Sequence, residues 1–168
     1  MGRTGPISES SGRRFLVAAA FPTNPVAGMQ CIRTDLGYDL FTYDGTRWLG
    51  LRTFEVAFTN QATVSVGGWL RAFQGPFGTA ALGPVLPWNA TIIEAVGWKD
   101  NVLTASSFDL YDASTLKYQL AISSGANTVS ATGINVDLSA GAILNLKISV
   151  GALTSGGGCI FTFRRKAT

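Results

Sequence analysis

The stretch Ile143-Leu144-Asn145-Leu146-Lys147-Ile148-Ser149-Val150 decides the fold class. Apolar and polar residues alternate along it, with one doubled apolar position at Leu144. A strand points successive side chains to opposite faces, so this pattern buries one face and leaves the other wet. Working outward, the same period recurs in Leu116-Lys117-Tyr118-Gln119-Leu120-Ala121-Ile122 and in Ile134-Asn135-Val136-Asp137-Leu138. Thr91–Trp98, Ser107–Tyr111 and Cys159–Arg164 read as further strands, and so do Phe54–Thr59, Thr63–Val66 and Trp69–Phe73. Ser-Gly, Ala-Gly and Gly-Gly-Gly breaks separate them at intervals of about ten residues, as in sandwiches and jelly rolls. No helical period competes. The expected fold is all-β: an antiparallel β-sandwich or jelly-roll-like domain over residues 53–168.

A second kind of pattern precedes it. Cys31 to Gly50 reads "CIRTDLGYDLFTYDGTRWLG". Cys31–Thr34 suits a strand, and Gly37 can take a positive φ in the turn that follows. Leu40–Tyr43 is a second strand of aromatic and β-branched type. Asp44-Gly45 is a strong signal for a two-residue type I′ hairpin turn, returning the chain through Thr46–Leu49. Residues 15–52 are thus expected to form a small β-meander module. A module this small is marginal alone and must pack against something. Pro22 and Pro25 fix two φ angles in a rigid turn ahead of it. Residues 1–14, rich in Gly, Ser and Arg, are expected to be an extended arm. Residues 74–90, rich in Gly and Pro, read as a long loop.

Only 14% of the 168 residues are charged, whereas 46% are hydrophobic. Soluble domains carry about 25% charged residues. So little charge on a 17.7 kDa chain points to protein–protein contact and oligomerisation. The net charge is +3 and the pI about 9.1, with small basic clusters at Arg13-Arg14 and Arg164-Arg165-Lys166. No basic stripe of the sort that tracks a phosphate backbone is present, so no specific nucleic acid is expected as partner. No run reaches the length of a membrane span, and no membrane partner is expected. Arg13-Arg14 ahead of Phe15–Ala20 has the outline of a secretion signal, but the apolar run stops at Pro22 and reads instead as a short buried strand. Met1-Gly2 lacks the Ser or Thr that myristoylation requires at the sixth place, which holds Pro6.

The chain has no histidine. That removes Ser-His-Asp and Cys-His catalysis and the commonest metal ligand. Cys31 and Cys159 are expected to be free and buried, and two distant cysteines do not make a tetrahedral zinc site. Asp109 and Asp112 lie three positions apart, an odd offset that would put them on opposite faces of a strand, which argues against a paired-carboxylate hydrolase. Asp35, Asp39 and Asp44 lack the spacing of a calcium loop and read as turn residues. Asn89-Ala90-Thr91 matches a glycosylation acceptor, and Gly156-Gly157-Gly158 precedes no helix that could hold a phosphate. No catalytic residue, metal or cofactor is assigned. Tyr38, Phe41, Tyr43 and Trp48 could stack on a sugar, but such a set more often forms a small core or an interface. Trp69, Trp88 and Trp98 read as core or subunit contacts.

The residues also carry a resemblance. "FPTNPVAGMQCIRTDLGYDLFTYDGTRWLG" resembles a short module of tailed-bacteriophage structural proteins, with an "RTD…F.YDGTRW" core, that precedes a fibre or decoration domain. Thr91-Ile92-Ile93-Glu94-Ala95 and the step Asp137-Leu138-Ser139-Ala140-Gly141-Ala142-Ile143-Leu144 are similar to a β-sandwich found at the C-termini of phage virion proteins. That family usually carries Asp after the glycine, where this chain has Ala142. The resemblance implies a virion structural protein: a capsid decoration (cement) protein that binds the major capsid protein and stabilises the head shell as a homotrimer. Its partner-binding residues would be Arg3, Arg13 and Arg14 of the arm, docking acidic capsid surface, and Tyr38, Phe41 and Trp48 of the meander. The alternative it implies is a short tail fibre or receptor-binding protein whose sandwich contacts a host-surface glycan. The small size and the lack of a long fibrous repeat favour the capsid. A free lectin or enzyme is the third class considered.

Overall fold

A computed structural model describes residues 15–72 and 83–167. They form strands β1 (Leu16–Ala18), β2 (Gln30–Arg33), β3 (Asp39–Tyr43), β4 (Trp48–Asn60), β5 (Arg71–Ala72), β6 (Ala90–Lys99), β7 (Ser106–Asp112), β8 (Thr115–Ile122), β9 (Thr128–Leu138), β10 (Leu144–Val150) and β11 (Gly157–Ala167). A single 3-10 turn, Thr34–Leu36, joins β2 to β3. The described residues contain no α-helix. The chain divides into two compact units, one running to Arg52 and taking in the chain end from Arg165, the other running from Thr53 to Arg164.

The larger unit is a β-sandwich. One sheet runs in the order β4-β11-β6-β9, with β5 paired to β4, and the other in the order β10-β7-β8. The alternation that predicts strands also aims their apolar residues. Phe108 and Leu110 of β7, Leu144, Leu146 and Ile148 of β10, and Leu120 and Ile122 of β8 share one core with Phe58 of β4, Phe161 and Phe163 of β11, and Ile92 of β6. Burial of this kind contributes roughly 25 cal/mol per Å² of apolar surface. Ala142, where the resembled family has Asp, is itself buried, and its carbonyl accepts the Leu86 amide at 3.0 Å. A carboxylate at that position would meet apolar surroundings and carry a desolvation cost.

Three strand expectations are corrected here. Neither Thr63–Val66 nor the described residues 69–72 of the expected strand Trp69–Phe73 form a regular strand over their length: Val64 makes a lone bridge to Leu153, Trp69 makes one to Lys147, and among them only Arg71–Ala72 pairs with β4; Phe73 lies outside the described residues. The cause is the turn at Gly67-Gly68, where the Gly68 amide donates to Ser65 O at 2.8 Å. The segment still does structural service. Leu70 N donates to Leu146 O, Ile148 N donates to Gly68 O and Leu144 N donates to Pro84 O, so residues 67–70 and 84–86 cover the outer edge of β10. An uncovered edge would template further strand pairing. The other correction is β4, which is one thirteen-residue strand where two were expected. Gly50 in its course is no breaker: a Cβ there would lie 3.4 Å from the Arg165 Cβ, so the glycine serves close approach of β11.

Gly158 has a comparable role on the outer face of the larger unit. Phe161, Phe163 and Cys159 point inward and Gly97 faces Leu120 and Phe108, which places Gly158 and Trp98 on the opposite face. A Cβ on Gly158 would strike the Trp98 ring at 2.7 Å. The indole therefore lies across β11 where a side chain is missing.

In the smaller unit β2 and β3 pair antiparallel, with Cys31 opposite Phe41, and β3 pairs with the start of β4, with Tyr43 opposite Trp48. The short buried strand expected within Phe15–Ala20 is β1, and it pairs parallel to β2, Leu16 opposite Cys31. Its burial is partial, with Val17 exposed. The type I′ turn at Asp44-Gly45 does not form. The loop spans residues 44–47, Gly45 alone takes a positive φ (106°), and the Asp44 carboxylate accepts the Thr46 and Arg47 amides, both at 2.8 Å. An aspartate that satisfies two loop amides outweighs the preference of the Asp-Gly dipeptide.

Candidate functional site

The smaller unit holds the residues that the sequence marks for contact, and its interior is layered. Phe21, delivered by the Pro22 turn, stacks on Trp48 with ring centroids 4.5 Å apart and planes 13° apart. It meets Phe41 edge-on at 5.4 Å. On its other side the Arg33 guanidinium lies 4.1 Å from the ring centroid. Tyr43 leans on Trp48 at 5.3 Å. Cys31, Phe41 and Trp48 are the buried centre of this cluster.

Above the stack the β2–β3 turn is clamped by ion pairs. Arg33 donates from Nε and from an Nη to the two oxygens of Asp35, at 2.7 and 2.6 Å. A planar guanidinium matches a carboxylate in this bidentate form. The bond from Arg33 holds the Asp35 carboxyl below its ordinary range, and the same bond holds the Arg33 guanidinium above its own. From the chain end, Arg165 donates to Asp39 at 2.8 Å and to Leu36 O at 3.4 Å. The Tyr38 amide donates to Arg33 O at 2.9 Å.

This clamp carries an unusual residue. Gly37 sits at φ 75°, as the sequence leads one to expect, but Tyr38 after it also has a positive φ, 61°. For a side chain bearing a Cβ the left-handed region costs about 1–2 kcal/mol. An aromatic there is a genuine outlier, held only because its surroundings over-determine it. Its side chain is 71% exposed.

The sequence-predicted contact residues therefore separate. Phe41 is fully buried and Trp48 only 6% exposed, so both belong to the unit's own core, while Tyr38 projects. Phe41 has no surface left for a partner, because Phe21 and Trp48 already cover it. Arg3, Arg13 and Arg14 lie outside the described residues. Phe21, Arg33 and Arg165 escaped the sequence reading. The Arg33-Thr34-Asp35 spacing was a local signal for the first clamp, whereas nothing near Arg165 announces a partner so remote along the chain.

The acidic residues weighed for chemistry have other engagements. Asp35 and Asp39 pair with arginines, and Asp44 caps its own loop. Asp109 accepts from Ser107 Oγ at 3.1 Å and Gln119 Nε2 at 2.9 Å, while Asp112 accepts the Ile143 amide at 3.0 Å. Asn89 accepts the Ala140 amide, and Thr91 Oγ donates to Asp137 at 2.6 Å. Cys31 and Cys159 are free and buried, and burial pushes both thiols up. Trp88 meets Phe54 edge-on at 5.8 Å, and Trp69 meets Tyr111 at 5.6 Å.

No family model matches the chain, and no curated protein matches it. Among solved structures, "PRD1 vertex protein P5" is similar with a TM-score of 0.38 and 10% identity, over 66% of this chain and 95% of that one. A likeness at that level leaves the functional reading to the chain's own residues.

Proposed function

We propose that the chain is a structural protein of a tailed-phage virion, a cement protein that attaches to the head shell. The observation that carries the reading is Tyr38, an exposed aromatic in a left-handed conformation on a turn clamped by two arginines. Gly or Asn would hold this conformation at lower cost than Tyr. A rigid, amphipathic side chain at a fixed angle is what a protein interface uses as an anchor, since little entropy is lost when it docks. The module resemblance in "RTD…F.YDGTRW" gives the partner class, a virion shell built of the major capsid protein. The low charge of the chain agrees with a life in an assembly. Arg3, Arg13 and Arg14 would add contacts to acidic shell surface, and repetition over the shell would turn weak contacts into avidity.

The test is protein mass spectrometry of purified particles, with copy number. Hundreds of copies per particle are expected for a cement protein. A few to a few tens would move the chain to the tail, as a short fibre. Absence from particles would end the reading.

A further inference from the structure

The turn that presents Tyr38 is followed at once by a crowded carboxylate. Asp39 opens β3, and its Oδ2 accepts from an Nη of Arg165 at 2.8 Å. Its other oxygen, Oδ1, faces the Nε of Arg52 at 3.9 Å. That separation is too long for a hydrogen bond, so the second guanidinium lies near Asp39 without being held by it. The two arginines also differ in cover. The Arg165 side chain is 28% exposed, whereas that of Arg52, on β4, is 93% exposed.

The charges of the smaller unit leave Arg52 over. Its described residues hold three carboxylates, Asp35, Asp39 and Asp44. Asp35 takes Arg33 at 2.6 Å, Asp44 takes Arg47 at 3.2 Å and Asp39 takes Arg165. One carboxylate does not neutralise two guanidinium groups, so Asp39, Arg165 and Arg52 together carry one positive charge beside Tyr38. Arg52 also does little for the fold, because water screens an ion pair so exposed. What remains is a cation that reaches into solvent next to an aromatic that does the same. Tyr and Arg are the residue types on which protein partners concentrate binding energy.

We infer that Arg52 and Tyr38 form one contact surface, and that its partner is a protein surface presenting a carboxylate next to a socket for the Tyr38 ring. Charge complementarity names the carboxylate, since each acid among the described residues of the smaller unit already has an arginine. The number of charges names the macromolecule. Nucleic acids and anionic membranes are held by many cations in a row or a cluster. Here a single surplus guanidinium stands beside the ring. One planar fork fits one carboxylate and fixes register as well as attraction. The inference rests on the reading of the chain as a shell-binding protein anchored by Tyr38, and it adds the residue that selects the partner's charge.

The experiment is co-sedimentation of the full chain with purified shells at about 50 mM and about 500 mM salt, for the wild type, Arg52→Gln and Lys117→Gln. Lys117 pairs with Asp112 in the larger unit and controls for the loss of one positive charge. A second arm uses shells whose surface carboxylates are capped with glycinamide. Arg52→Gln is expected to melt with the wild type and to bind about tenfold more weakly at low salt, with the gap narrowing at high salt. Lys117→Gln is expected to bind as the wild type does, and capped shells to bring the wild type down to the Arg52→Gln level. An Arg52→Gln protein retained as tightly as the wild type overturns the inference and leaves the attachment reading standing. So does a wild type held equally by capped and uncapped shells, or one whose Arg52-dependent binding is to duplex DNA or phosphatidylglycerol vesicles instead. A wild type that never binds shells defeats the attachment reading itself, and the inference falls with it.

Discussion

The larger unit draws phenyl and aliphatic side chains from both of its sheets into one interior, with Phe58, Phe108, Phe161 and Phe163 among its largest fully buried groups. The smaller unit centres on a cluster of Cys31, Phe41 and Trp48, over which Phe21 and the Arg33 guanidinium are layered. The difference shows what a small module does when it lacks the volume for an aliphatic core. Area burial is limited, so directional contacts supplement it: stacked rings, a guanidinium on a ring face, and bidentate ion pairs. Directional contacts also fix angles more firmly than area burial does, and the smaller unit is where a strained aromatic is held up to solvent.

The comparison breaks most visibly under core truncation. Phe161→Ala removes a fully buried ring between the two sheets and is expected to cost about 3–5 kcal/mol, read as a fall in the denaturant midpoint. A loss below about 1 kcal/mol would contradict a close-packed sandwich core. In the smaller unit Arg33→Ala takes away both the layer over Phe21 and the partner of Asp35. Asp35 is exposed, so the ion pair is heavily screened, and the expected loss is smaller than that of the core truncation. Hydrogen exchange should report it as faster exchange of the β2 and β3 amides with β7 and β8 unchanged. Equal acceleration in both units would show that the stack is not a local device.

Acid sharpens the contrast further. Asp35 is held below its ordinary range by the Arg33 bond. Burial pushes Asp44 up, but the Arg47 and Thr46 amides outweigh it and leave it lowered. Asp100 is likewise pushed up by burial and brought lower overall by Thr154 and Ser155. A carboxyl with a lowered folded-state pKa stabilises the fold above its unfolded value, 3.8 here, and the contribution disappears as pH falls through the folded value. Two of the three lie in the smaller unit. Stability should therefore be flat above about pH 5 and decline below pH 4, with exchange protection lost first in β2 and β3. Protection that rises as the pH drops through that window would reverse the sign and refute the assignment.

Much of the sandwich was legible because its signal is local. The alternation of Leu116–Ile122 and Leu144–Val150 survives as β8 and β10, since a two-residue period with one buried face admits few other structures. The readings that failed turned on particular hydrogen bonds that the residue pattern alone does not show. Asp44-Gly45 looks like a tight hairpin until the Asp44 carboxylate takes two loop amides. Thr63–Val66 and Trp69–Phe73 read as strands, but the chain turns at Gly67-Gly68 and residues 67–70 cover the edge of β10 instead. For the candidate site, the aromatic richness of residues 38–48 was visible, but which aromatic is core and which is presented was not. That depended on Phe21 arriving from the other side of two prolines, and on the φ of Tyr38, which no neighbouring residue type dictates.

The central claim is that Tyr38 keeps a costly backbone conformation because a partner uses its ring. It is tested most directly by Tyr38→Asn, with thermal stability and retention on purified shells measured on the same preparation. Asparagine tolerates the left-handed region, so the account predicts a gain of about 0.5–1 kcal/mol in stability together with a loss of retention of tenfold or more. A variant that is more stable and still retained at the wild-type level would contradict it.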